Sequence, residues 1–470
     1  MVFDKTQYQI ETMELEGEKI CFRAFRKLVY VDKPKNEAFQ SMNIFIPEVY
    51  LHGGKINGYT DETAPIFMPN GVGGYQPGEL DEPGYDKWDR KKINSIFRAL
   101  QHGYVVAVPA IRGRSQKDEK GEYNGKAPAC IVDYKAAVRY LRKFSKEMPG
   151  DTEKIITNGT SAGGALSALM GATGNAVEYE PYLEEIGAAK ERDDIFAASC
   201  YCPITNLEHA DMAYEWQFDG IYDYHRKRMQ KDEAGRPFFS AVDGRMNEEQ
   251  IRLSKEQAAL FPKYLNSLDL KSVEGTKLNL DAEGNGSFKD YIKMKVLESA
   301  QQALNQGEDV SEKAWVILEG EKVIDIDFQK YVRSITRMKT TLAFDDIEML
   351  SPENNLFGNE KIDNRHFTEY SHKNSQTAGK MAEEKIIRLM NPMYYIGQEG
   401  VTTAKNWRIR HGVCDRDTSL AISAMLERAL ENNGYCVDYH LPWNTPHSGD
   451  YDLEQLFAWI DSICLYNDMI

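Results

Sequence analysis

Ser161 stands in the run Asn158-Gly159-Thr160-Ser161-Ala162-Gly163-Gly164, which contains a G-x-S-x-G pattern. A serine hydroxyl attacks a carbonyl only when a neighbouring base takes its proton, so a histidine and an orienting carboxylate are the partners to look for. The apolar run Lys154-Ile155-Ile156-Thr157 precedes the pattern and the small-residue run Ala165-Leu166-Ser167-Ala168-Leu169-Met170 follows it. Together they predict strand, sharp turn and helix. Such a turn holds the serine in a strained conformation with its hydroxyl above the sheet. The glycines remove Cβ atoms that would clash where the chain doubles back, and the helix N-terminus brings N–H groups and positive dipole beside the hydroxyl. A glycine-rich turn with a capping serine is the plainer reading, and the strand–turn–helix setting favours the nucleophile.

For a serine at this place the expected chain order is serine, acid, histidine. The acid belongs just after a late strand, and His411-Gly412-Val413-Cys414-Asp415 ends there. Asp415 is the expected acid, with Asp417 as its rival two residues on. The histidine belongs between the last strand and the last helix. His447, in Pro446-His447-Ser448-Gly449, meets that requirement, whereas His440 ends the strand itself and reads as structural. His52 and His102 have no such support. An oxyanion needs two backbone N–H groups. Ala162 supplies one, and Gly71-Val72-Gly73-Gly74 supplies the other from either Gly73 or Gly74.

These residues need a scaffold of alternating strands and helices. Residues 20–25 and 27–31 read as two early strands in a hairpin, followed by strands at 42–47, 65–70 and 104–109. The fully apolar run at 104–109 implies a sheet covered on both faces. Helices are expected at 93–100 and, from the spacing of Ile131, Tyr134, Val138 and Leu141, at 130–146. Residues 195–202 form the next strand. From about 204 to 391 the chain is charged and helix-rich, with helices at 248–265 and 290–304 and a loop at 275–286. The α/β rhythm then resumes with a strand at 407–412, a helix carrying Ile422, Met425, Leu426, Ala429 and Leu430 on one face, a strand at 434–439 and a helix at 453–463. The expected fold is an α/β domain of residues 1–203 and 392–470, with a mostly parallel sheet, interrupted by an inserted segment of residues 204–391. An insertion at that point sits over the carboxyl ends of the strands, where such sheets bind ligands, and acts as a lid.

Composition excludes several classes. The chain has 470 residues, 42% hydrophobic and 28% charged, and no apolar run approaches the length of a membrane helix. A net charge of -16 repels polyanions, so nucleic acid is not an expected partner, and the lack of a membrane-length apolar run leaves membrane unexpected as well. The seven cysteines are scattered without a C-x-x-C pair, which favours a reduced compartment and no metal. Cys200 and Cys202 read as one face of a buried strand. The N-terminal residues show no basic stretch before an apolar core, which points to the cytoplasm.

Taken together, Gly159-Thr160-Ser161-Ala162-Gly163-Gly164, the helical insertion, His411 to Asp417 and Pro446-His447-Ser448 resemble the bacterial tannases, serine esterases of the α/β-hydrolase fold. The resemblance spans nearly the whole chain. It includes Met338-Lys339-Thr340-Thr341-Leu342-Ala343-Phe344-Asp345 and Glu353-Asn354-Asn355-Leu356-Phe357-Gly358, which make it specific. It implies hydrolysis of galloyl esters of tannins, with gallic acid as product and no cofactor. It also implies that Lys339, Glu353 and Asp417 hold the hydroxyls of the galloyl ring, leaving Asp415 as the triad acid. Read from sequence alone, Lys339 and Glu353 are a solvated lid face. The fungal tannases and feruloyl esterases carry a cysteine clamp beside the catalytic serine and histidine, where this chain has Thr160 and Ser448. A feruloyl or broader phenolic-ester esterase is the nearest alternative. A peptidase of the same fold and a catalytically inactive hydrolase used as a binding module are less favoured.

Overall fold

A computed structural model of the chain describes residues 1–87, 89–231 and 237–465, without the side chains of 227–231 and 237–239. A nine-stranded sheet runs through it. In spatial order its strands are Gln9–Leu15, Glu18–Val29, Ser41–Pro47, Val105–Pro109, Pro65–Pro69, Asp151–Thr160, Ala197–Tyr201, Asn406–Arg410 and Cys436–His440. The first four pair antiparallel in succession, and every pairing from Val105–Pro109 onward is parallel. Val105–Pro109 and Ala197–Tyr201 are buried throughout, which requires cover on both faces. Helix Ser95–His102 packs with helix Leu453–Leu465, and helix Ala129–Lys143 packs with helix Ala162–Ala172.

The register decides where chemistry can occur. Thr160 pairs with Tyr201, Tyr201 with Arg410, and Arg410 with His440. One row therefore crosses four strands at their carboxyl ends. Ser161, Cys202 and His411 are the first residues beyond it. The crevice outside those strand ends is where open α/β sheets take ligands.

Two expectations need correction. Residues 20–25 and 27–31 are not a hairpin: Glu18–Val29 is one strand, irregular between Phe25 and Leu28, with Lys27 at φ 55°. Its hairpin partner is Gln9–Leu15, joined through Glu16 and Gly17, both at positive φ. A two-residue loop of that kind matches the twist of paired strands. Gln9–Leu15 escaped notice because it is an edge strand with no buried residue. Cys202 is not part of a strand face either. Ala197–Tyr201 ends before it, and Cys202 turns away at φ 37°.

Strands Ala197–Tyr201 and Asn406–Arg410 are neighbours, so residues 202–405 leave and re-enter the sheet between them. This stretch holds helices Leu207–Gln217, Glu248–Ser267, Ser287–Asn305 and Phe328–Ile335. Asn247 starts the second of these with a reciprocal capping box to Gln250. Hairpins Asp223–Lys231/Pro237–Arg245 and Val316–Glu319/Lys322–Ile326 lie here too. Their short runs show no clear two-residue period against the helical background.

Candidate active site

Ser161 joins strand Asp151–Thr160 to helix Ala162–Ala172 at φ 60° and ψ -121°. Few non-glycine residues sit there, and the surrounding bonds must enforce it. Ser161 N–H donates to Tyr201 O at 3.0 Å, and Ser161 O accepts Ala165 N–H at 2.9 Å. Asn70 braces the turn from the neighbouring strand. Its Nδ2 donates to Asn158 O and to Gly163 O, each at 3.1 Å. A Cβ on Gly163 would lie 2.6 Å from Asn70 Oδ1 and 2.9 Å from Val72 O, so only glycine fits. The Gly71–Gly74 loop thus lies against the start of the serine helix. The N–H groups of Gly73 and Gly74 have no acceptor among the described residues. Ala162 is the first residue of its helix, so its N–H lacks an intrahelical partner.

The loops after the last two strands are zipped together. His411 N–H donates to His440 O at 3.2 Å, Val413 N–H to Pro442 O at 3.0 Å and Cys414 N–H to Thr445 O at 2.9 Å. A Cβ on Gly412 would collide with the Thr445 carbonyl. This zipper sets Asp415 against His447, whose Nδ1 is 2.8 Å from Asp415 Oδ2. The other oxygen of Asp415 accepts Asp417 N–H at 2.9 Å. Asp415 is fully buried. Burial pushes its carboxyl up, but the His447 and His411 rings pull it below the ordinary carboxylate range. His440 is exposed and pairs with Asp438 at 2.9 Å.

Thr160 packs on Gly449, which draws the His447 loop against the serine turn. His447 Nε2 is 3.9 Å from Cys202 Sγ, and Ser161 Oγ has no hydrogen bond among the described residues. Burial works against a charged His447. The Asp415 carboxylate outweighs it and holds His447 well above the ordinary imidazole pKa. With His447 as general base, activity would rise as pH climbs through that pKa, because a base works only when unprotonated. The acid limb of kcat/KM for a small ester is therefore expected above pH about 6.5, the value of a free imidazole. Asp415→Asn should move that limb to lower pH while cutting kcat by about 10⁴-fold. A pH–rate profile of the two proteins checks this, and an unmoved limb refutes the coupling.

The charges of Lys339 and Asp417, on two other segments, both act on Glu353. Glu353 is 7% exposed, in the first turn of helix Pro352–Leu356. Burial raises its carboxyl above the ordinary range, Lys339 and Arg114 oppose that rise, and Asp417 adds to it. Lys339 Nζ lies 4.1 Å from the centre of the Phe344 ring. Helix Leu207–Gln217 anchors these segments. The Tyr214 hydroxyl accepts Met338 and Lys339 N–H at 3.1 Å each and donates to Arg416 O at 3.0 Å. Asp211 accepts Phe344 N–H at 2.9 Å and Asp345 N–H at 2.8 Å. From the sheet side, Arg114 donates to Gly74 O at 2.8 Å and Asn355 Oδ1 at 2.9 Å. Lys126 Nζ donates to Asn355 O at 2.7 Å.

The chain is 47% identical to tannase from Lactobacillus plantarum, covering 98% of this chain and 99% of that one, with a TM-score of 0.95. Tannase from Fusobacterium nucleatum matches at 47% identity over the same shares, with a TM-score of 0.94. The chain belongs to the bacterial tannases. A tannin acyl hydrolase solved with ethyl gallate is 46% identical over 98% of each chain, with a TM-score of 0.92. A family model described as BD-FAE, an α/β-hydrolase-type domain, matches residues 84–222. No match was found among curated proteins. As a member of the tannases the chain is an ester hydrolase of the α/β-hydrolase fold.

Several residues around this candidate site carry no local sequence signal in this tannase. Asp211, Tyr214, Arg114 and Lys126 act at long sequence distance, and nothing in their local spacing marks them. In the sequence His411 stands out only as the start of His411-Gly412-Val413-Cys414-Asp415. Its ring is fully buried, with Nδ1 2.9 Å from Ser423 Oγ and Nε2 3.7 Å from Asp415. Cys202 takes the same place in the fold as Ser161 and His411, the first residue beyond a strand of this row.

Proposed function

We propose that this tannase hydrolyses galloyl esters through a galloyl-serine intermediate, with Ser161 as nucleophile, His447 as base and Asp415 as its orienting acid. His447 takes the Ser161 proton as the oxygen attacks the ester carbonyl, and Asp415 stabilises the imidazolium that forms. Ala162 N–H and the N–H of Gly73 or Gly74 receive the oxyanion. The protonated His447 then gives its proton to the leaving alcohol. Water, deprotonated by the same ring, releases gallic acid. No step calls for a cofactor.

Lys339, Glu353 and Asp417 hold the ring hydroxyls, and residues 204–391 form a lid over the strand ends. One observation carries this reading. Asp417, whose charge is felt at Glu353, has its N–H held by the same Asp415 that orients His447. Ring recognition and proton transfer are thereby keyed to one turn. The relative solved with ethyl gallate supports the substrate class. The deciding experiment compares kcat/KM for methyl gallate and methyl ferulate. Gallate is expected to be strongly preferred, and equal or reversed values would favour the broader phenolic esterase.

The setting proposed is the cytoplasm, with small esters rather than nucleic acid or membrane as partners. All seven cysteines are free, and no helix among the described residues is long and apolar enough to cross a membrane. Thermal midpoints with and without reductant should agree. A large drop under reductant would reveal a structural disulfide and argue for an oxidising compartment.

A further inference from the structure

The serine mechanism leaves Cys202 without a task. Its Sγ lies 3.9 Å from His447 Nε2 and 3.4 Å from Ser448 O, and the residue is 1% exposed. One ligand atom each from Cys202, Asp415 and His447 falls within 4.8 Å of the others. Zinc binds thiolate sulfur at about 2.3 Å and imidazole nitrogen at about 2.0–2.1 Å, so an ion on both atoms spans 3.9 Å at an angle of roughly 125°. The far ring nitrogen of His447 is bound to Asp415 at 2.8 Å. A metal-bound histidine ordinarily makes that same contact to a carboxylate, which fixes the tautomer with Nε2 free to bind. We propose that Cys202 Sγ and His447 Nε2 form an inhibitory site for a borderline-soft divalent cation of the zinc or cadmium class, with Asp415 as the supporting carboxylate.

On binding, the Cys202 thiol gives its proton to solvent and a sulfur–metal bond replaces it. The Nε2 lone pair donates to the same ion. That lone pair is the one which accepts the Ser161 proton, so hydrolysis stops while the ion is bound. The inhibitory consequence rests on His447 being the general base; the binding itself does not.

Cadmium alone serves as the probe, on the full chain. Cys21 and Cys436 are exposed and Cys414 is half-buried, so the parent for the test carries Ser at those three positions. Added cadmium should produce the ultraviolet thiolate-to-cadmium absorption, slow labelling of Ser161 by a fluorophosphonate and cut ester hydrolysis, all reversed by chelator. Cys202→Ser in that background should lose the absorption and need about tenfold or more cadmium for half-inhibition. Should Cys202→Ser not fold, a crystal of the parent soaked in cadmium decides, with an anomalous peak expected between Sγ and Nε2. Absorption retained in Cys202→Ser, a peak only elsewhere, or cadmium bound there with hydrolysis unchanged each overturns the proposal. Failure of the serine mechanism would show separately, as His447→Ala remaining active without cadmium.

Discussion

Ser161→Ala should lower kcat for every ester by about 10⁴-fold or more, His447→Ala should do the same, and the double variant should be little worse than either. The non-additivity is the informative part. If serine and histidine act as one unit, removing either leaves only binding and the oxyanion donors, so the second loss finds nothing left to remove. The substitution at Ser161 is structurally mild. The turn is held by its backbone bonds to Tyr201 and Ala165, and the hydroxyl has no hydrogen bond among the described residues. Near-parental thermal midpoints should therefore accompany the loss. Burst-phase kinetics with a nitrophenyl ester, together with a melting curve, checks both halves. A folded Ser161→Ala protein with near-normal turnover would remove the covalent mechanism.

The second large effect concerns selection of the ring. A galloyl ring bears three adjacent hydroxyls, and a site built to bond hydroxyls rejects an analogue lacking them by up to about 10⁴–10⁵-fold, because its buried polar groups are left unpaired. Methyl benzoate should therefore be a very poor substrate beside methyl gallate. Glu353 is the sharpest place to test this, since it is 7% exposed and lies within the fields of Lys339 and Asp417. Glu353→Ala should damage methyl gallate hydrolysis far more than nitrophenyl acetate hydrolysis, because Ser161, His447 and Asp415 are untouched. If these charges served only to solubilise the surface, the loss would be small and alike for all esters. Measuring kcat/KM for both substrates decides. An unchanged ratio between variant and parent would sink the assignment of Glu353 to the ring.

What could be read beforehand was what local chemistry encodes. The Ser161 turn is legible because strand, glycine and helix signals sit side by side in the chain. The Asp415 and His447 loops are legible because they follow predicted strands in a fixed order. The glycines at 163 and 412 state their own reason once the approaching carbonyls are seen. By contrast, Lys339 and Glu353 look like solvated charges in isolation, since only the fold buries Glu353 in helix Pro352–Leu356 and brings the charge of Lys339 to bear on it. The edge strand Gln9–Leu15 hides because none of its residues is buried, so its sequence is not forced to be apolar on one face, and the short strands Val316–Glu319 and Lys322–Ile326 bury only Val323 and Ile326. Cys202 reads as part of a strand face because a positive φ at a cysteine leaves no mark in composition.

Helix Leu207–Gln217 has a practical corollary. Its Tyr214 hydroxyl bonds at once to Lys339 on one segment and to Arg416, between Asp415 and Asp417, on another. The Oε1 of its Gln217 side chain accepts Ser419 Oγ–H at 2.9 Å and Leu420 N–H at 2.7 Å just beyond. For protein engineers, residues 204–391 are therefore not an interchangeable cassette. Grafted onto another esterase they would bring Tyr214 but not the Arg416 carbonyl or the Ser419 hydroxyl that it and Gln217 grip. A working chimera must carry the 411–420 loop along with the graft.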